Sequence, residues 1–221
     1  MDTVETQKIQ VMIADDHEIV REGLIHVVSK TDDIEVIGQA ENGKEIIEKL
    51  ENREPDVLLL DLEMPEKNGW ETLKYCQEKL PSLEVLILSV YPESFYGVRL
   101  IHAGASGYLN KNTATKQVVE AIRTINSGDM FISEELAKQI RKRPRKKNGS
   151  ALHDMLSARE FEIFSLIVSG KKLINIADEL SISVGTVSTH RTRILKKFNM
   201  ESNAELVSYA ISTGLVNNPT I

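Results

Sequence analysis

The chain predicts two folds in tandem. Residues 9–127 form a doubly wound α/β domain, a (βα)5 arrangement around a parallel sheet, and residues 152–217 form a small all-α, four-helix helix-turn-helix domain. Three observations lead there. Short apolar runs alternate with helical stretches five times before residue 128, the pattern of right-handed crossovers between parallel strands. The run Val57-Leu58-Leu59-Leu60 is too short for a buried helix and suits a strand covered on both faces. Beyond residue 151 no strand pattern survives.

Taken in order, Gln10–Ala14 leads into a helix near Glu18–Ser29, and Glu35–Ala40 into one near Lys44–Glu51. Val57–Leu60 precedes Trp70–Lys79, Glu84–Leu88 precedes Ser94–Ala103, and Gly107–Leu109 precedes Thr115–Ser127. The second domain has helical stretches at Ala158–Val168, Leu173–Leu180, Val184–Phe198 and Ala204–Ser212. Ser157 with Glu160 makes a capping box there, and Ser183 and Ser202 stand at N-cap positions. Residues 128–151 are assigned to a basic connector, whose stretch Arg141–Ser150 is charged, self-repelling and expected to be extended.

Charge is unevenly spread over the 221 residues, whose net is -6. Residues 1–137 carry 13 basic against 26 acidic side chains, 138–149 carry seven basic and no acidic ones, and 150–221 carry seven of each. The acidic half is therefore a poor partner for nucleic acid, while the connector and second half remain able to bind it. One cysteine, Cys76, excludes a disulfide within the chain and suits a reducing compartment. No apolar stretch approaches the roughly 18 residues that span a bilayer, and no signal-peptide pattern opens the chain, so a cytoplasmic location without a membrane partner is expected.

Asp61 follows the Val57–Leu60 strand, and Asp15-Asp16 follow the first strand. Strand ends of an open α/β sheet are where such folds place their sites. Three clustered carboxylates repel one another and should gather a hard cation, Mg²⁺. Ser89 and Lys111 follow the fourth and fifth strands and open on the same edge. A carboxylate triad, a hydroxyl and an ammonium suit phosphoryl transfer: Asp61 as nucleophile, Mg²⁺ on Asp16 and Asp61, Lys111 on a phosphoryl oxygen, Ser89 turned to the product. An aspartate-based phosphatase would use similar parts, but it would place an acid/base aspartate two residues after the nucleophile, where this chain has Glu63. The chain is accordingly expected not to be an enzyme.

These residues resemble the receiver domain of two-component response regulators. The resemblance rests on Asp15-Asp16, on Asp61 with Met64-Pro65 and Gly69, on Ser89, and on Ala103-Gly104-Ala105-Ser106-Gly107-Tyr108-Leu109 with Lys111 beyond. It implies phosphorylation of Asp61 by a sensor histidine kinase, a metal contact from the backbone carbonyl of Glu63, and a switch in which Tyr108 turns inward as Ser89 moves to the phosphate. Asn112 departs from the proline that many receivers carry after the lysine.

In the second domain Val184, Val187, Ile194 and Phe198 share one helical face, while Gly185, Ser188, Thr189, Thr192 and Lys196 line the other. No acidic residue falls between Val184 and Phe198, but Arg191, Arg193, Lys196 and Lys197 do, which attracts phosphate. With Leu156-Ser157-Ala158-Arg159-Glu160, Ile176-Ala177, Ile182-Ser183, Thr186-Val187 and His190, this segment is similar to LuxR-type helix-turn-helix domains, and the whole chain to NarL/FixJ-type response regulators. By that resemblance Ser188, Thr189 and Thr192 face DNA base edges, Arg191, Arg193 and Lys196 hold phosphates, and His190 is structural. Ser188 replaces a usual lysine, which bears on site preference more than on DNA binding, and Lys172-Leu173-Ile174-Asn175 replaces a familiar polar stretch. One small domain makes few base contacts, so a homodimer on paired half-sites is expected, joined through Ala204–Ser212.

Overall fold

The computed structural model describes residues 8–91, 93–142, 152–180, 182–213 and 215. Two compact units divide between Lys142 and Arg143. In the first, five strands lie parallel in the order β2-β1-β3-β4-β5: β1 is Ile9–Ala14, β2 Ile34–Ala40, β3 Val57–Asp61, β4 Glu84–Ser89 and β5 Gly107–Asn110. Helices α1 (Glu18–Val28), α2 (Gly43–Asn52), α3 (Gly69–Lys79), α4 (Glu93–His102) and α5 (Ala114–Asn126) alternate with them. Each expected element is present, with ends shifted by at most one residue.

Alternation along the strands builds the core. Val11, Ile13, Val57, Leu59, Leu86 and Leu88 are buried in one cluster with Leu24 and Val28 of α1 and Val118 and Ile122 of α5. The intervening Met12, Leu58, Leu60 and Ile87 are buried too and point to the opposite face, as the pleat requires. Burying each such side chain contributes about 1.5–3 kcal/mol, which is why the three central strands tolerate no polar residue until their ends. Strand order reverses between β1 and β3, and that switch point puts Asp15 and Asp61 side by side.

Past β3 the chain folds back closely. Gly69 donates its N–H to Leu62 O at 3.1 Å, and a Cβ there would lie 2.2 Å from the Asp61 carbonyl oxygen, so only glycine fits. Within the span assigned to the connector, the structure differs from the expectation. Phe131 bridges to Gly107 beside β5, accepting from Tyr108 N–H at 2.9 Å and donating to Ser106 O at 3.1 Å. Helix α6 (Glu134–Lys142) then packs on α4. Glu93 Oε1 accepts from Ser133 N–H at 3.1 Å, and Leu136 lies so close to Gly97 that a Cβ there would meet it at 2.6 Å. Residues 143–150, expected to be extended, lie outside the described residues.

The second unit opens with a 3-10 turn, Leu152–Met155, followed by α7 (Ala158–Val168), α8 (Leu173–Glu179), α9 (Val184–Phe198) and α10 (Asn203–Ser212). Both halves of the Ser157/Glu160 capping box form, and Ser183 and Ser202 accept from Thr186 N–H and Glu205 N–H. Phe161, Phe164, Phe198 and Tyr209 pack as an aromatic cluster, with ring centroids 5.1–6.4 Å apart, against buried Ile194 and Leu206. Asn199, left-handed at φ 54°, ends α9. Among the described residues no helix is long and apolar enough to cross a membrane.

Candidate functional site

The ends of β1, β3, β4 and β5 converge on one cluster. Asp15 and Asp61 are 0% and 1% exposed. Lys111 Nζ stands 2.8 Å from Oδ2 of each. This one ammonium neutralises both Oδ2 atoms, which have no other partner among the described residues, so each keeps a lone pair for a further ligand. The main chain holds the rest: Lys111 N–H donates to Ser89 O at 2.8 Å, and Leu62 N–H to Leu88 O at 3.2 Å, tying the strand ends together. Asp61 Oδ1 accepts from Glu63 N–H at 3.2 Å, and Asp15 Oδ1 accepts from His17 N–H at 2.9 Å. Asp16 lies at the rim, with its Oδ1 2.6 Å from His17 Nδ1.

Electrostatics follow from burial. Removal from water pushes the Asp61 carboxyl up to about 7; Lys111 opposes this and the Asp15 charge reinforces it. For Lys111, burial alone would favour the neutral amine, but the Asp61 and Asp15 carboxylates outweigh it and raise its pKa. Ligand atoms of Asp15, Asp16, Asp61 and His17 lie within 4.8 Å of one another. Carboxylate oxygens at this spacing, two of them buried with unused lone pairs, fit a hard divalent cation.

Ser89 and Tyr108 adjoin this cluster. Ser89 Oγ accepts from Tyr91 N–H at 3.2 Å, and the buried Tyr108 hydroxyl donates to Tyr91 O at 2.8 Å. Burial raises the Tyr108 pKa, against a lowering hydrogen bond with Ser89. The 89–91 turn therefore links the serine to the tyrosine.

Two pocket residues escaped sequence reasoning. His17 joins the carboxylates, and Arg21 is buried behind them, donating to Asp15 O at 2.7 Å, Gln39 Oε1 at 3.3 Å and Glu41 Oε1 at 3.1 Å. The signal for Arg21 was a charged residue three before Leu24 and seven before Val28, on the stripe of α1 that faces the core.

In the second unit α9 exposes Ser188, Thr189, Thr192, Arg193 and Lys196. Arg191 is half-buried, its Nε donating to Asn203 Oδ1 at 2.6 Å, and so ties α9 to α10. Thr189 and Thr192 donate their hydroxyls to Gly185 O and Ser188 O, at 2.9 and 3.0 Å. Lys197 turns inward to Glu160 Oε2 at 2.5 Å, so its charge serves packing. His190 is half-buried, and its pKa is lowered by burial and by the nearby Arg193 and Arg159.

A doubly wound domain with carboxylates and a lysine at its sheet edge, joined in one chain to a helix-turn-helix, defines the class of two-component response regulators. The chain belongs to that family: the profile of the response regulator receiver domain matches residues 11–123, and that of the bacterial regulatory proteins of the luxR family matches residues 154–210. It is 35% identical over 209 residues to the response regulator GacA of Pseudomonas viridiflava, covering 94% of this chain and 98% of GacA. It is 35% identical over 214 residues to the oxygen regulatory protein NreC of Staphylococcus carnosus, covering 94% and 99%. Among solved structures it resembles RcsB of Salmonella enterica serovar Typhimurium bound to promoter P1flhDC in the presence of the phosphomimetic BeF3-, with TM-score 0.60 and 25% identity over 93% of this chain and all of that one. A structure of two RcsB dimers bound to two parallel DNAs matches with TM-score 0.57 and 25% identity, covering 93% and 99%.

Proposed function

We propose that this response regulator is cytoplasmic, that a sensor histidine kinase phosphorylates Asp61, and that the acyl phosphate controls sequence-specific DNA binding by α9. The observation that carries the proposal is the buried Asp61 carboxylate at a strand end, spanned to Asp15 by a single ammonium. One Asp61 oxygen attacks the phosphorus of a phosphohistidine or of acetyl phosphate. The bond from phosphorus to the donor breaks, and its electron pair leaves with the imidazole or the acetate. Asp16, Asp61, Asp15 and the Glu63 backbone carbonyl would hold Mg²⁺, which when bound neutralises charge on the transferring group. Lys111 exchanges one carboxylate for a phosphoryl oxygen.

Ser89 then turns its hydroxyl to the phosphate and gives up Tyr91 N–H. Because Tyr91 O also anchors the Tyr108 hydroxyl, and Tyr108 N–H is bonded to Phe131, the change reaches the segment that leads into α6. Ser188, Thr189 and Thr192 face base edges, while Arg193, Lys196 and the free part of Arg191 hold phosphates. The RcsB dimers on DNA support binding as a homodimer.

Mass spectrometry after acetyl phosphate and Mg²⁺ tests the chemistry: the wild type gains one phosphoryl group and Asp61→Asn gains none. A phosphoryl adduct on Asp61→Asn would sink the assignment. Hydrolysis of a generic phosphate ester is expected to be absent, in keeping with a regulator.

A further inference from the structure

Arg21 is 5% exposed, on the face of α1 that otherwise buries Leu24 and Val28. Burying a guanidinium there costs several kcal/mol that a leucine would not incur, so something other than packing accounts for it. Its one ionic partner among the described residues, Glu41, is 70% exposed on its side chain and offers little, since exposed pairs are worth about 0–1 kcal/mol. The shortest contact is the one at 2.7 Å to Asp15 O.

That carbonyl belongs to the peptide linking Asp15 to Asp16, where β1 ends. Asp15 is fixed from three sides: its N–H donates to Ala40 O at 3.1 Å, its Oδ2 meets Lys111, and its Oδ1 accepts from His17 N–H. Arg21 supplies the fourth restraint by fixing the plane of the peptide that sets the Asp16 Cα. Asp16 is the least restrained carboxylate of the cluster, a third exposed on its side chain, with His17 Nδ1 2.6 Å from its Oδ1.

We propose that Arg21 is a positioning residue for the cation site: through the Asp15 carbonyl it aims the Asp16 carboxylate at the metal. This rests on the proposed pocket, and it gives an α1 side chain a role at the cation site that acts through the main chain. Gln39 accepts from Nε–H and Glu41 from the second terminal nitrogen, which stops the guanidinium from swinging out of place.

Full-length wild type, Arg21→Met and Arg21→Lys are compared by Mg²⁺ calorimetry and by thermal unfolding in chelator, with Asp16→Asn as the control. Methionine fills the space without a donor, so Arg21→Met is expected to unfold at or above the wild-type temperature while binding Mg²⁺ about tenfold more weakly, the usual size of an outer-shell loss. Arg21→Lys, with one ammonium still able to reach the carbonyl, is expected to recover part of that affinity. Unchanged Mg²⁺ affinity in Arg21→Met overturns the proposal. So does a loss of affinity matched by a fall in unfolding temperature in both variants, which would make Arg21 simple packing. If the wild type and Asp16→Asn bind Mg²⁺ equally, the pocket assignment itself has failed, an outcome separate from the behaviour of Arg21.

Discussion

At the sheet edge Asp15, Asp61 and Lys111 are withdrawn from water, whereas on α9 Arg193 and Lys196 stand in it. The same kinds of charge are put to opposite uses. In the pocket, low dielectric strengthens every interaction and pushes the Asp61 carboxyl up to about 7. On α9 the charges are hydrated, and their attraction for phosphate comes from released counterions and falls steeply with salt. A perturbation of the first region should therefore appear in stability and pH dependence, and one of the second in salt-dependent affinity.

The largest effect should come from removing the Asp61 charge. Unfolded, this carboxyl ionises near pH 3.8, and folded it ionises near 7, so the native state holds a proton that the unfolded state has lost between those values. Stability is then greatest below pH 3.8 as far as this group is concerned, and is lost as pH rises through 7. Asp61→Asn removes that term: urea unfolding in chelator at pH 8, followed by fluorescence of the single tryptophan, Trp70 in α3, should show a gain of about 2–4 kcal/mol. The variant would be more stable and unable to accept phosphate. An Asp61→Asn protein less stable than wild type at pH 8 would break the contrast between the two regions.

The apolar strands were legible because burial on both faces leaves an unbroken hydrophobic run, and their parallel direction was implied by the short crossovers. The pocket was legible for a related reason: in that core, Asp15 and Asp61 mark where the strands stop. Helix α6 was not. Leu136 and Ile140 carry its helical spacing, but the stretch runs into the basic tract from Arg141, and its docking depends on Gly97 and Glu93, some 40 residues away. Arg21 was hidden likewise, since Gln39 and Glu41 come to it only through the β1–β2 pairing.

In the second unit Glu160 is a buried charge, 5% exposed. Burial would raise its pKa, but Lys197 and the Ser157 N–H and hydroxyl outweigh this and hold it below the usual 4.5. Stability from this pair is thus fully present above pH 4.5 and lost as pH falls below it. Glu160→Gln should destabilise the second unit by about 1–2 kcal/mol at neutral pH, read as faster amide hydrogen exchange in α7, with no change around Asp61. Equal exchange in both proteins would show the pair to be passive.

Arg191 and Arg193 sharpen the comparison within one helix. Arg193→Ala should leave stability within about 0.5 kcal/mol and reduce the salt dependence of DNA affinity by about one counterion. Arg191→Ala should do the latter and also cost about 1 kcal/mol, because Nε is bonded to Asn203. Identical behaviour of the two variants in both measurements would erase the distinction between a tethered and a free arginine.

The smallest effect should be the most informative about how α9 meets DNA. Gly185 is exposed in the first turn of α9, where a Cβ would find its nearest neighbour, Ser183 Oγ, at 3.6 Å. Nothing among the described residues requires glycine there, and glycine in a helix costs roughly 0.5–1 kcal/mol relative to alanine. It shares a face with Thr189 and Thr192, whose hydroxyls are bonded inside the helix, so that face is small and its methyl groups are the unengaged part. Such a surface suits close approach to base edges and contact with thymine methyl groups. Gly185→Ala should therefore stabilise the second unit slightly while weakening specific DNA binding severalfold, opposite signs that a purely structural glycine would not give. Should the alanine variant bind its selected DNA as tightly as the wild type, α9 is held further from the bases than its small side chains allow.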